Sequence, residues 1–248
     1  MMKKLLLLII LEICFAKLSF AQERYQKFQV TKDIEVIKIN ENAYVHVSYA
    51  EVSGWGRVAA NGLIYINDGK AALFDTPMTD SLTKDLMDWI TNALKAKVSL
   101  FVPNHWHRDC IGGLAYLNSL GIESYANEIT VEIAKSKKLP IPMHGFKDSL
   151  TLSLGNKKIF CEFLGAAHAV DNIVVWLPSE KILFAGCMAK EVGSQNLGNT
   201  ADADLTAYPE TIKKVLNKYY NAEIVIPGHG EFGGIEILKH ALDLSSPK

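Results

Sequence analysis

The chain has 248 residues, 49% of them hydrophobic and 21% charged, the balance of an ordinary globular protein with room for one large domain or two small ones. A formal net charge of -1 leaves no basic footprint for nucleic acid. No charge run and no Gly/Ser- or Pro-rich stretch marks a tail or a linker.

The first 21 residues read as a secretory signal peptide: Lys3 and Lys4 precede an apolar run, and Ser19 and Ala21 are the small residues of a cleavage site. A membrane anchor is the competing reading. The run is short and Glu12 and Lys17 interrupt its second half, so no stable membrane insertion is expected after removal. The mature chain is then expected to start at Gln22, in the periplasm. Losing Cys14 leaves Cys110, Cys161 and Cys187, an odd number in an exported protein. At least one thiol stays unpaired within the chain, and a bound metal is one way to protect it.

Alternation over 34–52 predicts strands and a hairpin, and 62–76 predicts another hairpin over Asp68-Gly69. The period then becomes helical at Leu82, Leu86, Trp89, Ile90, Ala93 and Leu94, after a cap at Thr79-Asp80. The apolar run 98–104 reads as a buried strand, 112–121 as a helix ending at Gly121, and 128–136 as a short helix. Strands are predicted near 149–154, 158–164, 172–177 and 181–186. A helix follows at 209–220 with Pro209 in its first turn, then a strand at 223–227 and a final helix near 234–244. Each half runs strands first and a βαβ-like stretch later, with no internal repeat. The expected fold is α/β, a four-layer αβ/βα sandwich formed by a single domain over 22–248.

The segment NHWHRDC (104–110) carries two imidazoles, a carboxylate and a thiol. In extended backbone, residues two apart face the same way, so His105, His107 and Asp109 converge on one cavity. Imidazole and carboxylate both donate to zinc. Alone, such a pair of histidines is equally an exposed loop, but Pro103 and the apolar run before it fix the loop on a strand end. Three more strands lead to similar donors: His168 after 158–164, Cys187 after 181–185, and His229 after 223–227. Small residues bracket each of them and permit tight turns at a crowded site. Singly, each is a packed core residue or a loop histidine; together, chance is a poor explanation. His46, His144 and His240 lack this context and are given no role. No Gly-x-Ser-x-Gly supports a serine hydrolase.

NHWHRDCIGGL, DNIVVWLP, ILFAGCM, GN followed by DAD, and PGHG, in that order, resemble the metallo-β-lactamase superfamily. The resemblance is to subclass 1 of the class B enzymes and, within it, to the CcrA (CfiA) type. It runs from GWG at 54–56 to PGHGEFGG at 227–234. It implies two zinc ions per chain, one held by His105, His107 and His168, the other by Asp109, Cys187 and His229. It further implies hydrolysis of the β-lactam amide of penicillins, cephalosporins and carbapenems by a zinc-activated hydroxide, conferring antibiotic resistance.

Residue roles follow from the same resemblance. Asp109 orients the hydroxide, Lys190 pairs with the substrate carboxylate, and Asn199 donates to the lactam oxygen. Trp55 sits in a flap over 51–61, and Asp75 supports the metal loop from behind. The plainer alternatives are a solvated lysine for Lys190, a turn residue for Asn199 and a turn carboxylate for Asp75. The small-molecule β-lactam is the one expected partner, and the chain is expected to be a monomer.

Three departures stand out. Cys110 replaces a histidine common in the wider superfamily, which suits the lactamase branch, where Cys187 is the ligand; on residue types alone Cys110 remains a fallback ligand. Ala167 and Ala169 flank His168, and Arg57 adds a cation to the flap. The competing functions are a hydrolase of a lactone, thioester or phosphodiester on the same fold, or a non-catalytic periplasmic zinc-binding protein.

Overall fold

The computed structural model describes residues 25–246, so the expected signal peptide lies outside the described residues. Eight strands form the first sheet in chain order: β1 (Gln26–Thr31), β2 (Ile34–Lys38), β3 (Ala43–Val52), β4 (Gly56–Asn67), β5 (Lys70–Phe74), β6 (Lys97–Val102), β7 (Glu123–Asn127) and β8 (His144–Phe146). The second sheet has five, in the order β13 (Ile224–Pro227), β12 (Ile182–Gly186), β11 (Val174–Leu177), β10 (Lys157–Glu162) and β9 (Ser149–Leu154).

Side-chain alternation gives the central strands two buried faces and the molecule three apolar layers. Leu63, Tyr65, Phe74 and Val102 meet Val175, Phe184 and Ile226 between the sheets. From the same strands, Ile64 and Leu73 turn outward onto Leu86 and Ile90 of helix α1 (Asp80–Ala93). On the far side Leu183 and Ala185 pack on Ile212 of one helix and Leu238 of another. The result is the expected four-layer sandwich, helices outside two facing sheets.

Thr79 caps α1, its side chain accepting from the Leu82 N–H at 3.2 Å, a contact of about 1 kcal/mol. The helix predicted over 112–121 is shorter, Leu114–Ser119, and a separate short helix, Arg108–Ile111, precedes it. Gly113 lies between them because the backbone passes too close to α1: a Cβ there would land on the Thr83 side chain. Its N–H donates instead to the Thr76 hydroxyl at 2.9 Å.

The flap also differs from expectation. Strands β3 and β4 pair along their whole length to Val52↔Gly56, so most of 51–61 is paired ribbon, and only Ser53–Trp55 forms its tip. Strands β1, β7 and β8 were not anticipated. Strands β5 and β6 are parallel, as are β12 and β13. Parallel neighbours end at the same side of a sheet, and a cleft outside their carboxyl ends is where such folds place a site. Asp75, His105, Cys187 and His229 all follow those ends.

Candidate metal centre and substrate cavity

Strand β5 delivers Asp75, whose backbone is left-handed at φ 56°. Its Oδ1 accepts from the Asn104 N–H at 2.5 Å, fixing the start of the histidine loop. The Asn104 amide donates through Nδ2 to the Ile173 carbonyl, which leaves Oδ1 facing His105 Nδ1 at 3.1 Å. An amide oxygen only accepts, so His105 carries its proton on Nδ1 and a lone pair on Nε2. The same reasoning applies to two more rings. His229 Nδ1 donates to the Ala59 carbonyl at 2.7 Å, and His107 Nε2 faces an Asp202 carboxylate oxygen at 2.9 Å. Each outer nitrogen is thus anchored, and the inner ones are left as donors, the arrangement that orients metal-ligating imidazoles.

Those inner atoms crowd together. His105 Nε2 lies 2.9 Å from His107 Nδ1. The rings of His105, His107 and His168 meet edge-on, with centroids 4.5, 5.0 and 5.2 Å apart. Asp109 Oδ2 is 3.1 Å from His229 Nε2, and Cys187 Sγ lies 3.4 Å from that nitrogen and 3.6 Å from the carboxylate. The donors form three overlapping groups, each with all its atoms within 4.8 Å: Asp109 with Cys187 and His229, His105 with His107 and Asp109, and His105 with His168 and Cys187. All six predicted donors therefore belong to one cluster.

His168 reaches it from a loop six residues beyond β10, rather than from a strand end. Asn172 braces that loop, accepting from the Ala169 N–H at 3.1 Å and donating to the Gly165 carbonyl at 3.0 Å. The alanines flanking His168 are buried and leave this bracing intact. His168 Nδ1 is buried with no hydrogen-bond partner among the described residues.

Electrostatics put most of these groups in the charge states that metal binding requires. Burial, with help from His107, draws His105 down to about 3. Burial likewise holds His168 neutral. For Asp109 burial pushes upward, but the hydrogen bond and charge of His229 outweigh it and keep the carboxylate ionised. A hydrogen bond from Cys110 is the chief reason that Cys187 is drawn down to about 6. His229 goes the other way: against burial, Cys187 and Asp109 hold a proton on it. A cation at the same donors displaces that proton. Imidazoles, a carboxylate and a thiolate whose donor atoms gather in groups within 4.8 Å fit zinc.

Cys110, buried behind the cluster, contacts His105 Nδ1 at 3.2 Å and belongs to none of the three donor groups among the described residues. Cys187, not Cys110, stands with the other donors.

A cavity of about 560 Å³ opens over the cluster, lined by His107, Asp109, His168 and His229 below and by Trp55, Lys190 and Asn199 around it. Trp55 at the ribbon tip is 62% exposed, whereas Lys190 is only 9% exposed. Burial lowers the Lys190 pKa, and no ion pair engages its ammonium among the described residues. Asn199 is a turn residue, its Oδ1 accepting from the Ala201 N–H at 3.1 Å, and it lines the cavity as well. Arg57 turns away from the cavity: it pairs with Asp33 at 2.7 Å and lies over the Tyr49 ring.

The sequence is 51% identical over 212 residues to the metallo-beta-lactamase type 2 of Bacteroides fragilis, covering 86% of this chain and 85% of that one. The Bacillus cereus protein of the same name is 36% identical over 91% of this chain and 90% of its own. The chain belongs to the metallo-β-lactamase family. Among solved structures, TMB-1 superposes with a TM-score of 0.82 at 37% identity, covering 87% of this chain and 98% of that one. The metallo-beta-lactamase from Pontibacter korlensis gives 0.83 at 36% identity over 87% and 100%. No protein-family model matches the sequence.

Several supporting residues of this metallo-β-lactamase carry no signal of their own in the sequence. His46, given no role above, is buried in β3, where its Nε2 meets the Asp75 carbonyl at 3.0 Å. Gly62 opposite it is required, since a Cβ there would overlap the His46 ring. Asn61 ties the ribbon to the His229 loop, donating to the Pro227 and Gly230 carbonyls at 3.0 and 2.8 Å. Asp202 is the exception: it lies in the DAD motif.

Proposed function

We propose that the mature chain, one domain over 22–248, is a periplasmic β-lactamase that binds two zinc ions and hydrolyses penicillins, cephalosporins and carbapenems as a monomer. The observation that carries this reading is the convergence of four imidazoles with Asp109 and Cys187 at the foot of a cavity lined by the buried Lys190.

His105, His107 and His168 would hold one zinc, and Asp109, Cys187 and His229 the other. Bound zinc supplies Lewis acidity toward a carbonyl oxygen and acidifies water to near neutral pH. Around it the chain's own residues divide the remaining work. Asp109 accepts a hydrogen bond from the attacking water and directs it toward the amide carbon. Lys190, buried and in no ion pair among the described residues, binds the carboxylate of the substrate, a charge-assisted contact. Asn199 spends its Oδ1 on the Ala201 N–H, so its amide hydrogens remain for the lactam oxygen, where charge develops. Trp55 closes over the apolar part of the substrate and excludes water.

A substrate panel tests the proposal. Benzylpenicillin, a cephalosporin and a carbapenem are expected to be turned over, and a homoserine lactone, an S-acyl thioester and a phosphodiester are not. Hydrolysis of one of the latter with all three β-lactams intact would replace this function with another on the same fold.

A further inference from the structure

The part of the cavity wall that carries Asn199 is a stretch without regular structure, Glu191–Asn199, which supplies six of the lining residues. A segment with no ladder to hold it keeps its place through the few contacts that leave it. Among the described residues, two hydrogen bonds do so. At its start the Glu191 carboxylate accepts from the Glu231 N–H at 2.8 Å, on the loop that carries His229. Further along, the Ser194 carbonyl meets His240 Nε2 at 2.8 Å. A carbonyl only accepts, so that nitrogen carries a proton and donates it. The other hydrogen bonds of the stretch are local. The Ser194 N–H donates to the Glu191 carbonyl at 3.0 Å, the Gln195 amide to the Gly193 carbonyl at 3.0 Å, and the Gly198 N–H to Asn196 Oδ1 at 2.8 Å. They shape the loop without placing it.

His240 is a firm anchor. It stands on the helix Glu236–Ser245, whose Ile237, Leu238 and Ala241 are buried in the apolar layer over the second sheet. Leu197 packs against that same layer, so the loop follows the surface of this helix. His240 itself is half-buried and does not line the cavity.

We propose that His240 is a positioning residue for the reaction: through the Ser194 carbonyl it holds the Asn199 end of the loop in place over the metal cluster. The proposal rests on the role given to Asn199 above. Lys190 lies on the other side of the Glu191 anchor, which ties it to the His229 loop, so its place does not depend on His240. The two anchors therefore divide the work. Glu191 secures the end that binds the substrate carboxylate, and His240 secures the donor aimed at the lactam oxygen, where charge develops. Losing the His240 bond should lower kcat and leave KM nearly unchanged.

The test compares the zinc-loaded chain from Gln22 with His240→Phe, which keeps a ring and loses the donor, and with His240→Gln, which keeps a side-chain N–H. Amide hydrogen exchange over 192–199 should quicken in His240→Phe by about threefold to tenfold, the equivalent of one ordinary hydrogen bond, while the amides of β12 and β13 stay as they were. The kcat for benzylpenicillin should fall by about the same factor. Both should return toward the parent values in His240→Gln. In an Asn199→Ala background, His240→Phe should cost little further kcat, because the two changes act on one contact. Nitrogen NMR of the unaltered chain needs no variant to fold: it should find the His240 proton on Nε2, and a lone pair there would overturn the tether. Unchanged exchange in His240→Phe would do the same. Faster exchange with kcat intact overturns the bearing on catalysis, and a kcat loss that persists in Asn199→Ala overturns the route through Asn199. A parent chain that turns over no β-lactam would instead sink the lactamase reading, with exchange and NMR still deciding the tether.

Discussion

The side-chain amide of Asn104 sets the tautomer of His105: its oxygen lies 3.1 Å from Nδ1, and its nitrogen is committed to the Ile173 carbonyl. The lone pair on His105 Nε2 is therefore prepared by the residue just before it in the chain.

Asn104→Leu removes that acceptor, and zinc affinity should fall by roughly 10–100-fold. Asn104→Asp, which keeps an acceptor, should lose less. Competition with a chromogenic chelator reads both, alongside urea unfolding to separate site from fold. A leucine variant that binds zinc as tightly as the parent would show that the amide does not set the ring.

Lys190 is buried at the cavity wall without an ion-pair partner among the described residues. A hydrogen bond to a charged group is worth about 1.5–3 kcal/mol, so Lys190→Met should raise KM for carboxylate-bearing β-lactams by about 10–100-fold. The kcat should change much less, and Lys190→Arg should retain part of the binding. A loss confined to kcat would place the ammonium at the reacting bond instead.

Trp55 makes its case through exposure. Truncating a residue that is 62% exposed should leave stability within about 0.5 kcal/mol. An aromatic contact with the substrate is worth about 0.5–1.5 kcal/mol, so KM in Trp55→Ala should rise by roughly threefold to tenfold. Steady-state kinetics and a thermal melt check the two halves.

His46 gives stability a pH dependence. Burial draws its pKa from 6.5 to about 4, so the unfolded chain takes up this proton before the folded one does. The contribution is complete above pH 6.5 and is lost as pH falls toward about 4, amounting to about 3 kcal/mol at most. His46→Asn should flatten the profile between about pH 6.5 and about pH 4, by close to one proton midway. Urea unfolding at several pH values measures it, and an unchanged slope would mean that His46 does not titrate with folding.

Much of the fold and the donor set was legible in the sequence because both depend on local pattern. Continuous apolar runs gave β6, β12 and β13, the spacing of two within one loop gave His105, His107 and Asp109, and donors bracketed by small residues gave His168, Cys187 and His229. The unanticipated elements have weak patterns for physical reasons. Strand β1 is a half-exposed edge, β8 is three residues long, and β7 (ESYAN) has no clear alternation. The break at Gly112-Gly113 depends on α1 passing close by, which helical period does not report. His46, Asn61 and Asp202 act across separations of 29 to 169 residues, and Arg57 leaves the cavity because Asp33 draws it away. Such partners exist only once the sheets have assembled.

The central claim is that β-lactam hydrolysis depends on metal held by this cluster. The direct measurement follows carbapenem ring absorbance with the chain from Gln22, as isolated, after exhaustive chelation, and after stepwise return of zinc, with bound zinc counted at each step. Turnover should vanish on chelation and return as zinc is rebound, saturating at two per chain. Turnover that survives complete metal removal, or no hydrolysis by protein carrying its zinc, would contradict the account.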